Sequence, residues 1–379
     1  MAKDGFERPS GPLSRHGQIT LVFQGGGALG AYQAGVYEAL HEAGVEPDWV
    51  IGTSIGAVNA ALVAGAPPGE RLERLQAFWT RVRLPALAEA FAAAPWFGGP
   101  AAALRTMLEG LPGFFAPNPL ALAPRAAAEA AGWYSTAPLR RTLAGLIDFD
   151  RINRGGVRLT VGAANVATAE MRYFDSRERP LSLEHVLASG ALPPAFPAVR
   201  IDGALYWDGG ILSNTPVEAV FDDHPRRSGI VFAVHLWRPE GDEPCSLSEI
   251  ATRQKDLQYS SRAATHVARQ RQIHRLRHIV AELASRLPDE ARADPAVREM
   301  AAYGCGTRMH VVRLLAPRLE GETQLKDIDF SASGIRRRWE AGRDDARRVL
   351  ASAPWEAEAD PLEGLVLHDA GAPAREAAI

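Results

Sequence analysis

The sequence predicts an α/β fold with three layers, in which helices cover both faces of a mostly parallel central sheet. Three observations lead to this fold class. Residues 19–23 (ITLVF) are β-branched and apolar, as in a buried strand, and residues 49–51 (WVI) form a second such run. Between them, apolar side chains recur at helical spacing up to Gly44, where the helix is expected to end. A strand–helix–strand unit of this kind is expected to be parallel and right-handed.

Glycine motifs occupy both strand ends of this unit. Residues 25–30 (GGGALG) follow the first strand, and residues 52–56 (GTSIG) follow the second. Glycines two residues to either side of Ser54 allow the sharp strand-to-helix turn that exposes a nucleophilic hydroxyl. A glycine-rich turn that opens a helix presents unpaired backbone N–H groups, which suit the oxyanion of acyl transfer. Together the two motifs predict an acyl hydrolase with Ser54 as its nucleophile.

Other assignments of these motifs fit less well. Residues 25–30 also match a dinucleotide-binding turn, but that fold requires an acidic residue at the end of the second strand, where this chain has Gly52, Thr53 and Ser54. An ordinary α/β-hydrolase usually carries a His-Gly-Gly-Gly oxyanion loop, and Gln24 stands where that histidine would be. His235 stays open as an alternative general base, because it ends the apolar run 229–234 and completes the chain order Ser, Asp, His.

Asp208 is the predicted general base. Residues 204–207 (ALYW) indicate a short strand, and Asp208 follows it with Gly209 and Gly210 behind. These glycines permit a tight turn that directs the carboxylate back across the sheet edge. A free aspartate has a pKa of about 3.9, so this base must contact the serine directly and gain from partial desolvation. The alternative is an ordinary Asp-Gly turn without a catalytic role.

The later part of the chain continues the alternation of strands and helices. Strands are predicted at residues 157–161, 171–174, 204–207, 229–234 and 309–315, and helices at residues 183–189, 247–287 and 332–349. Residues 247–287 are amphipathic and rich in arginine, which fits a solvated face or contact with an anionic membrane surface.

The predicted organisation has four parts. Residues 1–17 form a disordered tail, residues 18–240 the catalytic domain, residues 241–359 a helical extension with a late strand at 309–315, and residues 360–379 a frayed tail. An insertion at about residues 84–133 is rich in Ala, Pro and Gly and carries scattered aromatic side chains, including Trp96 and Phe97. It is predicted to be either a lid over an acyl-binding groove or a secondary hydrophobic cluster on the sheet.

Four sequence blocks resemble the patatin-like phospholipase family. They are residues 25–30 (GGGALG), 52–56 (GTSIG), 188–199 (ASGALPPAFPAV) and 208–210 (DGG), in the order in which that family has them. They lie between about residues 19 and 216, somewhat over half of the chain. The resemblance implies a patatin-like three-layer α/β/α fold and a Ser–Asp dyad without histidine that acts on acyl esters of lipids.

The resemblance also assigns residue roles by position. Ser54 and Asp208 would be the catalytic pair, and the glycine-rich turn would form the oxyanion hole. The other implied site residues are Gly25, Gly26, Gly27, Ala28 and Gly30 in the oxyanion turn, Gly52 and Gly56 in the elbow, and Gly209 and Gly210 in the aspartate turn. The predicted function is therefore hydrolysis of lipid carboxyl esters, of the phospholipase A, lipase or esterase type. The alternative is a catalytically idle protein of the same fold that binds a lipid or polyester surface.

Composition is consistent with an enzyme of this kind. The chain has 379 residues, 46% of them hydrophobic, a net charge of −3 and two cysteines. The charge gives no reason to expect nucleic-acid binding, and the cysteines do not form a disulfide framework. We expect no cofactor and no metal, a lipid or acyl-ester substrate, and a cytoplasmic location with peripheral contact to membranes as an option.

Overall fold

The computed structural model describes residues 11–84, 106–123, 127–320 and 322–369. The first ten residues, residues 85–105 and 124–126 of the insertion, and the last ten residues lie outside these ranges, so the predictions made for them, including those for Trp96 and Phe97, are not addressed by the structure.

A nine-stranded sheet forms the centre of the molecule, and a separate two-stranded sheet lies outside it. The strands are, in chain order, β1 (Gln18–Phe23), β2 (Trp49–Thr53), β3 (Ala116–Pro117), β4 (Tyr134–Ser135), β5 (Arg158–Asn165), β6 (Met171–Asp175), β7 (Val199–Ile201), β8 (Ala204–Asp208), β9 (Gly229–His235), β10 (Met309–Leu315) and β11 (Leu365–Asp369). The order across the central sheet is β11-β10-β9-β1-β2-β5-β8-β7, and β6 also pairs with β5. All pairs from β11 to β5 are parallel, whereas β6, β7 and β8 run antiparallel to their neighbours.

Helices cover both faces of this sheet. Those named here are α1 (Ala31–Glu42), α2 (Ile55–Ala64), α3 (Pro68–Arg81), α4 (Ala137–Ala144), α5 (Phe149–Asn153), α6 (Leu183–Ser189), α7 (Glu218–Phe221), α8 (Leu247–Ser285), α9 (Asp289–Ala293), α10 (Pro295–Ala301) and α11 (Ala332–Ser352). Strand β1 contributes side chains to a hydrophobic cluster on each face of the sheet. Leu21 and Phe23 pack in the cluster that contains α1 and α2, and Val22 packs in the cluster that contains α7 and α8. The predicted three-layer α/β fold with a mostly parallel sheet is confirmed.

The C-terminal part of the chain shares this sheet and core. Strand β10 pairs with β9 along its whole length, and α11 packs directly on α1. A β-carbon at Gly342 of α11 would lie 2.0 Å from the carbonyl oxygen of Tyr32 in α1, so the two helices meet backbone to backbone. The segment predicted as a helical extension therefore completes one face of the main sheet.

Both predicted terminal tails need correction where the structure describes them. Residues Ser14–His16 form a short 3₁₀ helix, and Leu13 before it is buried. Leu365–Asp369, placed in a frayed tail by the sequence, forms β11 beside β10. In both cases tertiary contact supplies the order, because neither segment carries a long apolar run of its own.

The described end of the insertion packs on the core. Leu111 and Phe115 are buried, and the Phe115 ring lies 4.7 Å from that of Tyr134 and 5.8 Å from that of Phe196. The same segment also carries exposed apolar side chains, namely Met107, Leu108, Leu120, Leu122 and Trp133. The segment thus combines a packed aromatic cluster with an apolar outer surface.

None of the helices in the described part of the chain has the length and apolar character that crossing a membrane requires.

Candidate active site

Ser54 lies on a strained turn between β2 and α2. Its backbone has φ 56° and ψ −126°, a region that residues with a side chain rarely occupy. Gly52 and Gly56 make the turn possible, because a β-carbon at Gly52 would lie 2.2 Å from the Gly56 carbonyl oxygen and one at Gly56 would lie 2.3 Å from that of Phe23. The structure therefore places the glycine-flanked serine at the carboxyl end of a parallel strand, in the geometry of a nucleophile elbow.

Ser189 fixes the backbone of this turn. The Ser54 N–H donates to the Ser189 hydroxyl oxygen at 3.0 Å, and that hydroxyl donates to the Gly162 carbonyl at 2.6 Å. Ser189 ends α6 and is fully buried. From the sequence, Ser189 could be recognised only as the end of a helix. Its position at the start of the proline-rich block 188–199 was the one signal available for a role near Ser54.

We expect Ser189→Ala to lower kcat for ester hydrolysis by about tenfold with little change in KM, because it leaves the Ser54 N–H without its acceptor and loosens the turn. The same change should lower the free energy of unfolding by roughly 1–3 kcal/mol, since a buried donor and a buried acceptor lose their partner. Steady-state kinetics and urea unfolding would measure both. Ser260→Ala is the matched control, because Ser260 is also buried and its hydroxyl donates, within the described part of the chain, to the Asp256 carbonyl of its own helix alone. Equal effects of the two substitutions on kcat would contradict a positioning role for Ser189.

Asp208 faces the Ser54 hydroxyl from the end of β8. Its side chain is almost completely buried, and burial raises its pKa from 3.8 to about 6. Hydrogen bonds from Ser54 and from the Gly210 N–H, which lies 2.7 Å from Oδ1, act in the opposite direction and favour the carboxylate. Gly209 and Gly210 begin the 3₁₀ turn that brings this N–H back to the carboxylate. The structure thus brings Ser54 and Asp208 together, and the pKa of this carboxyl group lies above that of an exposed aspartate.

Both the N–H and the carbonyl of Gly25 form hydrogen bonds. Its N–H donates to the Asn214 carbonyl at 3.1 Å, and its carbonyl accepts from Asn214 Nδ2 at 3.1 Å and Trp237 Nε1 at 2.8 Å. A β-carbon at this position would lie 3.0 Å from that of Ser54. The predicted role of Gly25 as an oxyanion donor is therefore corrected: its N–H is engaged, and its small size lets the turn approach the serine. Asn214 thereby joins the segment after β1 to the segment after the aspartate turn.

The next three residues of the turn present their N–H groups. A trans peptide directs its carbonyl and its N–H to opposite sides, so the bonds to the Gly25 carbonyl turn the Gly26 N–H away from Asn214 and Trp237. Within the described residues, no acceptor is recorded for the backbone N–H of Gly26, Gly27 or Ala28. Gly27 has φ 56°, and a β-carbon there would lie 2.2 Å from the Asp327 carbonyl oxygen. Gly30, at the end of the turn, contacts Ile55 and packs the turn against the elbow.

Gln24 anchors the start of the glycine turn. It is completely buried, its Oε1 accepts from the backbone N–H groups of Leu236 and Trp237, and its Nε2 donates to Thr215 Oγ1 at 2.6 Å. One side chain therefore joins the ends of β1 and β9 to the segment after Asp208. From the sequence, Gln24 could be recognised only as a residue other than histidine, because its contacts lie too far apart along the chain for a local pattern to reveal them.

His235, the alternative general base, does not join Ser54 and Asp208. It is the last residue of β9, and burial together with the nearby Arg313 lowers its pKa to about 3. Among the described residues, no hydrogen bond joins its ring to Ser54 or Asp208. The described residues also contain no cluster of three His, Cys, Asp or Glu side chains arranged to hold a metal ion.

A strained serine beside a buried aspartate, on a three-layer α/β/α fold, defines a candidate serine hydrolase. The chain belongs to the patatin-like phospholipase family, whose model matches residues 21–221. A second model, described as patatin phospholipase, matches residues 257–362. The two matches cover both the site and the C-terminal part that completes the sheet.

Individual relatives cover shorter stretches. A patatin-like phospholipase domain-containing protein of Caenorhabditis elegans is 29% identical over 205 residues, which are 53% of this chain and 12% of that protein. The lysophospholipase nte1 of Aspergillus terreus is 56% identical over 46 residues, 12% of this chain and 3% of that protein. Human patatin-like phospholipase domain-containing protein 6 is 44% identical over 63 residues, 17% and 5% of the two chains. The matches thus span only a small part of these much longer relatives.

Among solved structures, VipD from Legionella pneumophila aligns with 88% of this chain and 67% of its own, at 15% identity and a TM-score of 0.37.

Proposed function

We propose that this protein hydrolyses carboxyl esters of lipids through a Ser54–Asp208 dyad. The observation that carries this proposal is the contact between a serine hydroxyl on a strained turn and a buried aspartate whose pKa is raised to about 6. A carboxylate with that pKa is ionised at neutral pH and is a better proton acceptor than an exposed aspartate. The membership in a family of lipid acyl hydrolases agrees with this chemistry.

The first half of the proposed reaction forms an acyl-enzyme. Ser54 Oγ attacks the ester carbonyl carbon while Asp208 takes the hydroxyl proton. The oxygen that becomes negative is stabilised by the N–H groups of Gly26, Gly27 and Ala28. When the tetrahedral intermediate collapses, the carbon–oxygen bond to the alcohol breaks, and Asp208 returns its proton to that alcohol. The acyl group stays on Ser54.

The second half releases the acid by the reverse proton path. A water molecule attacks the acyl-enzyme carbonyl and gives a proton to Asp208, and the same N–H groups stabilise the new oxyanion. Collapse of this intermediate returns the proton from Asp208 to Ser54 and frees the fatty acid. One carboxylate thus acts as base and acid in turn, so no histidine is required.

A lipid substrate is supported by the surface next to Asp208. The Asp208 N–H donates to the carbonyl of Ala191 in the proline-rich block 188–199. The end of the insertion is bonded to the same block, because the Trp133 N–H donates to the Pro194 carbonyl and the Tyr134 N–H to the Ala195 carbonyl. The exposed apolar side chains of the insertion, defined above, thus belong to a segment that is bonded to the block next to Asp208. Such a surface offers contact to an acyl chain or to the lipid aggregate that contains it.

The test is hydrolysis of p-nitrophenyl esters from acetate to palmitate by the purified protein and by His235→Gln. We expect turnover that increases with acyl chain length, and we expect His235→Gln to retain most of it, because the His235 ring is neutral near pH 7 and, within the described residues, forms no hydrogen bond with Ser54 or Asp208. Circular dichroism would verify that the variant is folded. A folded but inactive His235→Gln would replace the dyad by a triad, and an inactive wild type would favour the lipid- or polyester-binding alternative.

A further inference from the structure

The glycine turn that carries the proposed oxyanion donors depends on contacts from other parts of the chain. It begins with three consecutive glycines, residues 25–27. Glycine has the widest backbone freedom of any residue, so such a turn does not hold one conformation by itself. Donors that stabilise an oxyanion act best when their direction is fixed before the reaction. The segments that pack on each glycine therefore decide whether the turn is preorganised.

The first two glycines are held by the segment that follows β9. The Gly25 carbonyl accepts from Trp237 Nε1, as described above. A β-carbon at Gly26 would lie 2.9 Å from Leu236 Cδ1 and 3.2 Å from Trp237 Nε1. These two side chains thus cover the start of the turn.

Gly27 is covered instead by the C-terminal part of the chain. A β-carbon at Gly27 would lie 2.2 Å from the Asp327 carbonyl oxygen, so the backbone of Asp327 occupies the place of a side chain. Asp327 belongs to the short 3₁₀ turn Lys326–Ile328, which packs on the 3₁₀ turn Gly27–Gly30. The left-handed backbone of Gly27, with φ 56°, is therefore confined by a segment about 300 residues later in the chain.

Two adjacent ion pairs join this C-terminal turn to α8. Lys255 Nζ donates to both carboxylate oxygens of Asp327, at 2.7 and 2.9 Å, and to the Gln324 carbonyl at 2.8 Å. The neighbouring pair has the opposite polarity, because Lys326 Nζ donates to Asp256 Oδ1 at 2.7 Å. A Lys-Asp dipeptide of α8 thus faces a Lys-Asp dipeptide of the turn, and these four residues are called the double ion pair below.

The double ion pair is largely shielded from water. The side chains of Lys326 and Asp256 are 7% and 12% exposed. Those of Lys255 and Asp327 are 33% and 22% exposed. Charges at such sites are screened less than surface charges, and removal of one partner leaves the other without compensation. Lys326 Nζ also lies 5.1 Å from the centre of the Trp237 ring, which itself bonds to the glycine turn.

We infer that the double ion pair positions the oxyanion donors, with Lys255 and Lys326 as positioning residues; this inference rests on the proposed function. By holding Asp327 against Gly27, it fixes the direction of the N–H groups of Gly27 and Ala28. These N–H groups meet a full negative charge only in the tetrahedral intermediate and the transition states that flank it. Loss of the double ion pair should therefore lower kcat and leave KM nearly unchanged.

The test compares ester hydrolysis by wild type and by Lys255→Met, which keeps the apolar stem of the side chain and removes its three hydrogen bonds. We expect kcat to fall about tenfold with KM within about twofold of wild type. Lys255→Arg should regain most of the lost kcat, because a guanidinium group can bond to both Asp327 oxygens. Arg343→Met is the matched control, because the Arg343 side chain is 35% exposed and pairs with Glu42 at the other end of α1.

Hydrogen exchange of the peptide that contains residues 24–30, followed by mass spectrometry, gives a readout that needs no turnover. We expect faster exchange there in Lys255→Met and not in Lys255→Arg or Arg343→Met. Asp327→Asn weakens the same pair from its other side and should reproduce both effects, so the test does not depend on the folding of one variant.

The inference is overturned if Lys255→Met and Asp327→Asn match the control in kcat, or if kcat falls without faster exchange in residues 24–30. It is also overturned if KM rises while kcat stays constant. A wild type without esterase activity, in which exchange of the glycine turn still depends on Lys255, would reject the proposed hydrolysis and keep the support of the turn by the double ion pair.

Discussion

Replacement of Ser54 by alanine is expected to reduce ester hydrolysis by roughly 10⁴-fold or more, because removal of a catalytic nucleophile leaves only binding and oxyanion stabilisation. The fold should persist. Alanine keeps the β-carbon that already occupies this turn, and the bond from the residue 54 N–H to Ser189 involves only the backbone. Binding of a slowly hydrolysed lipid analogue should therefore be nearly unchanged while kcat falls.

The measurement combines p-nitrophenyl ester kinetics with covalent labelling by a fluorophosphonate probe, followed by mass spectrometry of the labelled peptide. Wild type should be labelled on Ser54, and Ser54→Ala should not react. Ser352→Ala is a suitable control, because among the described residues the Ser352 hydroxyl bonds only to the Val349 carbonyl in the last turn of α11. Labelling of a serine other than Ser54 in the wild type, with turnover kept in Ser54→Ala, would reject the proposed nucleophile.

Asp208→Asn is expected to abolish turnover and at the same time to stabilise the fold at neutral pH. An amide cannot accept the Ser54 proton, so we expect a loss of roughly 10³-fold or more in kcat. The stability gain follows from the pKa of Asp208, which burial raises from 3.8 to about 6. The folded protein holds this proton more tightly than the unfolded chain does. Stability from this group is therefore fully present below pH 3.8 and is lost as the pH rises through about 6.

The size of that loss is about 3 kcal/mol, from a shift of roughly two pKa units at 1.36 kcal/mol each. Urea unfolding at pH 8 should show Asp208→Asn to be more stable than wild type by up to this amount, with the difference shrinking toward pH 4. In wild type, kcat/KM should rise about tenfold per pH unit up to a plateau above an apparent pKa near 6. A variant that is less stable than wild type at pH 8, or a flat pH profile between pH 5 and 7, would contradict this account.

Asp208 would then be a residue at which activity and stability oppose each other. Desolvation makes the carboxylate a stronger base, and the same desolvation makes its ionised form unfavourable in the folded state. The bonds from Ser54 and Gly210 offset part of that penalty. This balance explains why the aspartate needs only two close polar partners to remain usable near neutral pH.

Much of the architecture was predictable from local sequence. The strand at residues 309–315 and the helix at residues 183–189 match β10 and α6 in their bounds, because their apolar patterns agree with their burial. The elbow was also predictable, since only glycine fits two residues either side of Ser54 in so tight a turn. β11 was missed, because its order depends on pairing with a strand about fifty residues earlier.

The identity of the candidate pair was accessible to sequence because each member lies in its own glycine-containing motif, and motifs are local. The residues that surround this pair could not be identified from the sequence. Ser189, Gln24 and Asn214 support the site through hydrogen bonds that join segments up to about 190 residues apart along the chain, and no spacing rule connects such positions. The candidate oxyanion donors could likewise be reduced to the N–H groups after Gly25 only from the structure, because the Gly25 N–H itself donates to the Asn214 carbonyl.

The sequence by itself determined the alternation of strands and helices, the two glycine turns and the residues that bear the chemistry, because these depend on backbone sterics and on apolar periodicity within short windows. The tertiary structure alone decided the pKa of Asp208 and the support of the Ser54 turn. These properties arise from burial and from the proximity of distant segments, which exist only once the chain has folded.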